Sequence, residues 1–550
     1  MTQSDLSKAL HSRRFQMDGA RFAMKHKQVL IADEPGLGKT IQSIAAVVGS
    51  KITGSVLVVA PKTAMYVTWP AELSRWLADV SPNDKVHIIG GKVSRKQRLE
   101  TLREILLWQK AHGQGAAVAQ PGEQPRRQWV LVSPNYLRFH IQLDEHGNFV
   151  YDDNGNKVIL PVREALPGLL AIRWSAVIVD EAHQTLAGAT GNIKRQSAQS
   201  RGLRLLTIAD GGMRIALSGT PFRGKHENLW GILNWLRPDL YRSYWDWVKR
   251  HFDIYTDYAV GVEVIGKLKS ERVLAEEARQ LMIRRTKAKV TPDLPPKVYG
   301  GTPLRGVKKD NAPVAVWLPM DDEQRIAYEQ MKLHAMVELS GGVLLANSLL
   351  AEMVRLKQFA NSCGYLDSSG SFHPKLPSNK FDWLVEFLAE RGIDGKGPGA
   401  SKVVVASQFT KHIHLFANAL LAKKIDSYRL TGETGEQERI DMQRTFQSGR
   451  MDNGTPSPDV FLLNTIAGGV SLTLDAADDI VLIDSTFNSD DQVQVEDRCH
   501  RISRQHQVTV WNLASQNTID ESILRETYKT GLSLKRILDG GSSTVAKLLA

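Results

Sequence analysis

The stretch "QVLIADEPGLGKTIQSIAAVV", Gln28 to Val48, decides the reading of the chain. An apolar run (Val29, Leu30, Ile31) meets a glycine-rich turn, then Lys39 and Thr40. Ile41, Ile44, Ala45 and Val48 follow at helical spacing. Glycines at 36 and 38 let backbone N–H groups close around phosphate oxygens. Lys39 supplies positive charge for β- and γ-phosphates, and the Thr40 hydroxyl suits Mg²⁺. The helix would point its N-terminus at the same phosphates. The strict pattern G-x-x-x-x-G-K-[ST] is not met, because Asp33 stands where the first glycine belongs.

A second stretch strengthens the reading. In "AVIVDEAH" (Ala176–His183) a buried-type strand ends in two acids. Asp180 is placed to hold Mg²⁺ and so offset phosphate charge, and Glu181 to polarise an attacking water. "LSGTP" (Leu217–Pro221) sets Ser218 and Thr220 beside another strand end, where hydroxyls can sense the acid pair. "QVQVEDRCHRISRQ" (Gln492–Gln505) offers Arg498 and Arg501 at i, i+3, read as one helix face. Such arginines complete phosphoryl-transfer sites from a second body.

The runs "VLVVAP", "WVLVSP", "AVIVDEAH" and "RIALSGTP" alternate with helical patterns up to about residue 222. Continuous Val/Ile/Leu runs suit strands covered on both faces, as in parallel sheets. A second set, "KVVVASQ", "DVFLLNT", "DIVLIDS" and "VTVWNLA", begins near Lys402. The expected fold class is α/β, with two parallel-sheet lobes and helical insertions between them. We assign residues 1–222 to the first lobe, 223–375 to mainly helical protrusions and connection, 376–535 to the second lobe, and 536–550 to a tail. Two insertions interrupt the first lobe, at about 111–127 and 145–161. The second reads as a hairpin turning at Asn154-Gly155.

The 550 residues carry a formal charge of +11, which favours a polyanionic partner, nucleic acid before membrane. The two cysteines, Cys363 and Cys499, stand far apart and suggest no zinc site. The N-terminus lacks a signal-peptide core, and no apolar run is long enough for a membrane span. We expect a soluble intracellular monomer with no membrane association.

Taken in order, the motifs resemble those of helicase superfamily two, and more narrowly the Swi/Snf family of DNA translocases. "FQMDGARFAM" resembles its Q motif, implying that Gln16 recognises adenine. "DEPGLGKT" resembles motif I, "VLVVAPKTAMYVTWPAEL" motif Ia, "DEAH" motif II and "LSGTP" motif III. "LMIRRTKAKVTPDLPPK" (Leu281–Lys297) resembles a family-specific stretch between the lobes. "VVVASQFT" resembles motif IV, "YRLTGETGEQERIDMQRTF" the segment after it, "NTIAGGVSLTLDAADDIVLID" motif V and "QVEDRCHRISRQ" motif VI.

The resemblance implies two RecA-like lobes using ATP and Mg²⁺. It implies nucleotide contacts from Gln16, Gly36, Gly38, Lys39, Thr40, Arg498 and Arg501, chemistry at Asp180 and Glu181, and coupling through His183, Ser218 and Thr220. Nucleic acid would meet Lys62, Thr63, Ser133 and Asn135 in the first lobe, and Thr410, Thr431, Gly432 and Thr465 in the second. The sequence departs from the family pattern at Pro35, Ile466, Phe487 and Ser503-Arg504. The implied function is an ATP-dependent double-stranded DNA translocase that remodels protein–DNA complexes, moves DNA branches or anneals strands; the compact layout is similar to the annealing-helicase branch. The alternatives are a strand-separating DNA or RNA helicase, and a nucleic-acid-binding scaffold with an inactive ATPase.

Overall fold

The computed structural model describes residues 5–539 except 114–125, 147, 154, 156, 187–195, 223–224, 258–261, 305–311, 341–345, 398, 400, 466–471, 487–488 and 502–503. Ile466, Phe487, Ser503, Asn154 and most of the 111–127 insertion therefore lie outside the described residues. The chain divides into two compact units, one made mainly of the residues up to Val290 and the other mainly of Thr291–Ser533. The segment 223–375 is thus shared between them rather than forming a third body.

The first unit contains β1 (Gln28–Ile31), β2 (Gly54–Val59), β3 (Lys85–Ile89), β4 (Arg127–Val132), β5 (Phe139–Ile141), β6 (Ile159–Pro161), β7 (Arg173–Val179), β8 (Thr207–Leu217), β9 (Phe252–Asp257), β10 (Val262–Leu268) and β11 (Met282–Ile283). Seven of these form one sheet in the order β11-β1-β8-β7-β2-β4-β3. Every neighbouring pair in it is parallel. The runs read as strands from their continuous apolar character are β2, β4, β7 and β8. Val56–Val59, Val130–Val132 and Val177–Val179 are wholly buried, because helices cover both faces of a parallel sheet. β5 and β6 pair antiparallel at the base of the 145–161 insertion, whose ladder continues through Tyr151 opposite Lys157.

The second unit contains β12 (Lys297–Gly300), β13 (Thr302–Pro303), β14 (Val314–Leu318), β15 (Cys363–Leu366), β16 (Phe372–Lys375), β17 (Val403–Ser407), β18 (Ser427–Leu430), β19 (Val460–Asn464), β20 (Asp479–Leu482) and β21 (Val508–Ser515). Its sheet runs β13-β14-β21-β20-β17-β19-β18, with β12 also paired to β21. All pairs are parallel except β13 with β14. The segment expected to be mainly helical therefore supplies strands to both sheets as well as the helices Leu229–Leu236, Tyr244–His251, Asp322–Ser340 and Ala346–Asn361. Among the described residues no helix is long and apolar enough to cross a membrane.

Each unit encloses a paired buried charge. In the first, Arg127 opens β4 and its Nη1 meets Asp84 Oδ2 at 3.0 Å, both side chains wholly buried. Trp129 Nε1 also donates to Asp84 Oδ2, at 2.9 Å, and Arg127 Nε donates to Ile52 O at 2.8 Å. In the second, Lys380 Nζ donates to Asp520 Oδ2 (2.7 Å), Asn361 Oδ1 (2.9 Å) and Ile483 O (2.8 Å). Removing one partner of a buried pair strands the other charge. Asp84→Ala should therefore destabilise the first unit by about 3–5 kcal/mol, read as an earlier urea midpoint in tryptophan fluorescence. The exposed Asp79→Ala should move it by less than about 0.5 kcal/mol.

Candidate nucleotide site

Parallel sheets place ligands outside the carboxyl ends of their strands. In the first unit β1 runs into the glycine turn, β7 into Asp180, β8 into Ser218, and β11 into Arg284. Gly36 (φ 86°) and Gly38 (φ 78°) both adopt the left-handed backbone that tightens the turn. Gly38 caps the helix Lys39–Gly49, whose first N–H groups face the turn. A Cβ at Gly38 would lie 2.5 Å from Gln16 Nε2. Buried Gln16 donates through that nitrogen to Leu37 O at 3.0 Å, so it braces the turn from behind. Lys39 Nζ donates to Asp33 O at 3.0 Å, and Thr40 stands half-buried beside it. Burial pushes the Lys39 ammonium below the usual lysine range, against the opposing pull of Glu181, Asp33 and Asp180.

The acid pair lies within this electrostatic field. Asp180 Oδ2 accepts from Trp69 Nε1 at 2.9 Å, and Oδ1 accepts from the Glu181 backbone N–H at 3.0 Å. Burial, then the adjacent Glu181 charge, raises the Asp180 pKa to about 6. Glu181 is held at φ 47°, a left-handed conformation costly for a residue with a Cβ. His183, buried, has Nδ1 2.9 Å from Ser218 Oγ and 3.4 Å from Glu181 Oε2. Ser218 Oγ also accepts from the Thr220 backbone N–H at 3.2 Å. Residues 181, 183, 218 and 220 thus form one connected polar line. A half-buried acid pair in the electrostatic field of Lys39, with the Thr40 hydroxyl in the glycine turn, suits a divalent cation, for which Thr40 and Asp180 are the candidate ligands.

The sequence reading gave no role to three contributors. Asp33, the departure from the strict loop pattern, is wholly buried and paired with Arg285 Nη2 at 2.5 Å. Arg284 Nη1 donates to Ala32 O at 2.6 Å and Gly219 O at 2.8 Å, stitching the phosphate loop to the Ser218 turn. The turn packs closely there, for a Cβ on Gly219 would stand 2.7 Å from Pro35. Trp69 is the third, orienting Asp180. Only the short apolar run before the two arginines, which becomes β11, hinted that "LMIRRTK" belongs to this sheet.

In the second unit, Arg498 is buried in the helix Ser489–Cys499, but Arg501 lies beyond its end. The expected shared helix face is therefore corrected. The Arg498 carbonyl accepts from the Leu474 N–H at 3.0 Å, and the His500 N–H still donates to Glu496 O at 3.0 Å. Arg501 Nη2 donates to Leu472 O at 2.7 Å, and burial lowers the Arg501 pKa. The nucleic-acid candidates follow the carboxyl ends of neighbouring strands. In the first unit, exposed Lys62 and half-buried Thr63 follow β2; Ser133 and exposed Asn135 follow β4, but Ser133 is only 6% exposed. In the second, Thr410 follows β17, Thr431 and exposed Gly432 follow β18, and Thr465 follows β19. Thr410 Oγ1 accepts from Asn464 Nδ2 at 3.2 Å, while the buried Thr465 hydroxyl has no protein partner among the described residues.

A glycine turn with Lys-Thr at a helix start, facing an Asp-Glu pair on the same sheet edge, is the arrangement of a P-loop nucleoside triphosphatase. Residues 15–365 match the SNF2-related domain, and residues 379–503 match the helicase conserved C-terminal domain. The chain belongs to the SNF2-related family. It is 26% identical over 546 residues to the ISWI chromatin-remodeling complex ATPase ISW1 of Saccharomyces cerevisiae, covering 94% of this chain and 40% of that protein. It is 25% identical over 564 residues to the chromodomain-helicase-DNA-binding protein 1-like of Danio rerio, covering 98% of this chain and 45% of that one. The chain thus spans less than half the length of these relatives. The Sulfolobus solfataricus SWI2/SNF2 ATPase core in complex with dsDNA aligns over 98% of this chain and 94% of its own, at 20% identity and a TM-score of 0.36.

Two outcomes test this geometry. Gly38→Ala forces a side chain into left-handed backbone and against Gln16, and should weaken ATP affinity by about tenfold or more, read by titration with a fluorescent ATP analogue. The native Asp180 pKa of about 6 lies above the ordinary 3.8, so the folded state holds that proton more tightly than the unfolded chain. Its ionisation then costs stability, least near pH 4 and fully above pH 6. Asp180→Asn should therefore raise the melting temperature of the nucleotide-free protein at neutral pH, with the gain shrinking as pH falls.

Proposed function

We propose that the chain is an ATP-driven translocase on double-stranded DNA, whose movement displaces or remodels what is bound to that DNA. The observation that carries the reading is the single sheet edge on which Gln16, the glycine turn, Lys39, the Asp180–Glu181 pair and the His183–Ser218 line come together. SNF2-related ATPase domains imply ATP with Mg²⁺. Mg²⁺, where bound, offsets phosphate charge, and Thr40 and Asp180 are the residues that would hold it. Gln16 would meet adenine, and Lys39 would exchange its bond to the Asp33 carbonyl for phosphate oxygens. Glu181 would orient the attacking water, and its tie through His183 to Ser218 and Thr220 would report the state of the site to the rest of the sheet edge. Arg498 and Arg501 would supply the remaining positive charge from the second unit.

DNA would be gripped at two sheet edges, by Lys62, Thr63 and Asn135 on one and Thr410 and Gly432 on the other. Buried Ser133, Thr431 and Thr465 would shape those edges. Backbone-directed contacts position a protein without reading bases, which suits movement along any sequence. The charge of +11 supports such binding, with affinity falling as salt rises. The intact Lys39, Asp180 and Glu181 geometry favours an active hydrolase over a scaffold. Displacement of a third strand from a triplex on duplex DNA should require ATP and vanish in Lys39→Ala. Arg501→Ala should lower turnover by about 10³-fold with ATP affinity nearly unchanged. Hydrolysis stimulated by RNA but not by duplex DNA would overturn the reading.

A further inference from the structure

The chain passes from the first unit to the second at Val290–Thr291, and charged groups tie it down on each side of that passage. On the first side, Arg285 grips both carboxylate oxygens of Asp33, through Nε at 2.9 Å and Nη2 at 2.5 Å. The Lys287 backbone N–H donates to Glu34 Oε2 at 2.7 Å. β11 continues this hold, since the Ala32 and Glu34 N–H groups donate to the carbonyls of Ile283 and Arg285 at 2.8 and 3.0 Å. The phosphate loop and the segment leaving the unit are therefore one hydrogen-bonded piece.

On the second side the same segment meets the arginine-bearing helix. His500 Nε2 donates to Pro295 O at 2.8 Å. Lys297 Nζ and Tyr299 Oη both donate to Glu496 Oε2, at 2.6 and 2.9 Å. The Glu496 side chain is 1% exposed, so its charge depends on these partners. Glu496 lies two residues before Arg498, and His500 directly precedes Arg501. Between Lys287 and Pro295 only residues 288–294 intervene. They hold the end of the helical turn Lys287–Val290 and a turn closed by Leu294 N–H to Thr291 O at 3.0 Å. Pro295 and Pro296 then fix two φ angles and remove slack.

We propose that residues 284–299 are a two-ended strap, seated on Asp33 and Glu34 at one end and on Glu496 and His500 at the other, that passes the state of the phosphate loop to Arg498 and Arg501 through the chain itself. This rests on the reading of Arg498 and Arg501 as nucleotide-site arginines. Lys39 is bonded to the Asp33 carbonyl, and a phosphate that drew it away would alter the residue the strap grips. Breaking either anchor leaves a buried carboxylate unpaired, so the ends stay seated and displacement travels along the short span. Arg285, Lys297, Glu496 and His500 are positioning residues in this scheme.

The test lengthens the span and keeps every anchor: Gly-Ser-Gly-Ser inserted between Asp293 and Leu294 in the full chain. Binding of a fluorescent ATP analogue and of duplex DNA should stay within about threefold of wild type, while DNA-stimulated turnover falls about tenfold or more. Should the insertion lower the melting temperature or ATP binding, Glu496→Gln decides instead. It keeps the side-chain volume and loosens the far anchor, and turnover should fall with KM for ATP unchanged. Wild-type turnover in the folded insertion variant, or in Glu496→Gln, overturns the strap when Arg501→Ala is inactive in the same assay. Wild-type turnover in Arg501→Ala itself overturns the reading of the arginines, and the strap falls with it.

Discussion

Asp33 is wholly buried in the turn between β1 and the nucleotide-site helix, and its charge has to be answered from within the protein. Arg285 answers it with two side-chain bonds and a backbone bond, and Gln42 Nε2 adds another at 2.9 Å. The remaining site follows from that pairing. With the Asp33 side chain turned to Arg285 and Gln42, its carbonyl faces Lys39, and with Arg285 seated, Arg284 reaches both Ala32 and Gly219. A residue at the first-glycine position of the loop pattern thus becomes the keystone of the loop. The cost of burying an aspartate there is offset by fixing three separated segments in one geometry.

The chemistry of the edge depends on unrelieved charge. Asp180 and Glu181 are neighbours in a half-buried setting, and Lys39 is a cation that acts on Asp180, its own ammonium weakened by burial. Without nucleotide this arrangement holds electrostatic cost, and Glu181 adds a left-handed backbone. Bound phosphate and a cation would relieve the charge on both sides. A site poised in this way favours ligand binding through charge neutralisation, and the His183–Ser218 bond gives that event a path away from the acids.

Much of this was legible in the chain. Continuous Val/Ile/Leu runs marked β2, β4, β7 and β8 in one unit and β17, β19, β20 and β21 in the other, because central parallel strands must be apolar on both faces. The order of motifs placed Lys39, Asp180, Glu181, His183 and Ser218 at strand ends. Less legible were β3, β11, β12, β13, β14 and β18, which are short, lie toward sheet edges or carry exposed residues. Met282–Ile283 is only a two-residue strand, below what periodicity can resolve. The pairing of Trp69 with Asp180 leaves no periodic trace, since 111 residues separate them. Helical spacing also misled at Arg501, which lies past the end of the helix Ser489–Cys499.

Local sequence determined which residue types stand at each strand end, since patterning and turn chemistry are properties of neighbours along the chain. It therefore settled the α/β class, the glycine turn and the acid pair. Tertiary structure alone decided which ends share an edge, which of the candidate hydroxyls are buried, and that Arg284 and Arg285 belong to the phosphate loop. Those outcomes depend on sheet order and on where buried charges find partners. Strand order is set by long-range packing and charge pairing, and neither is encoded in the spacing of residues along a single segment.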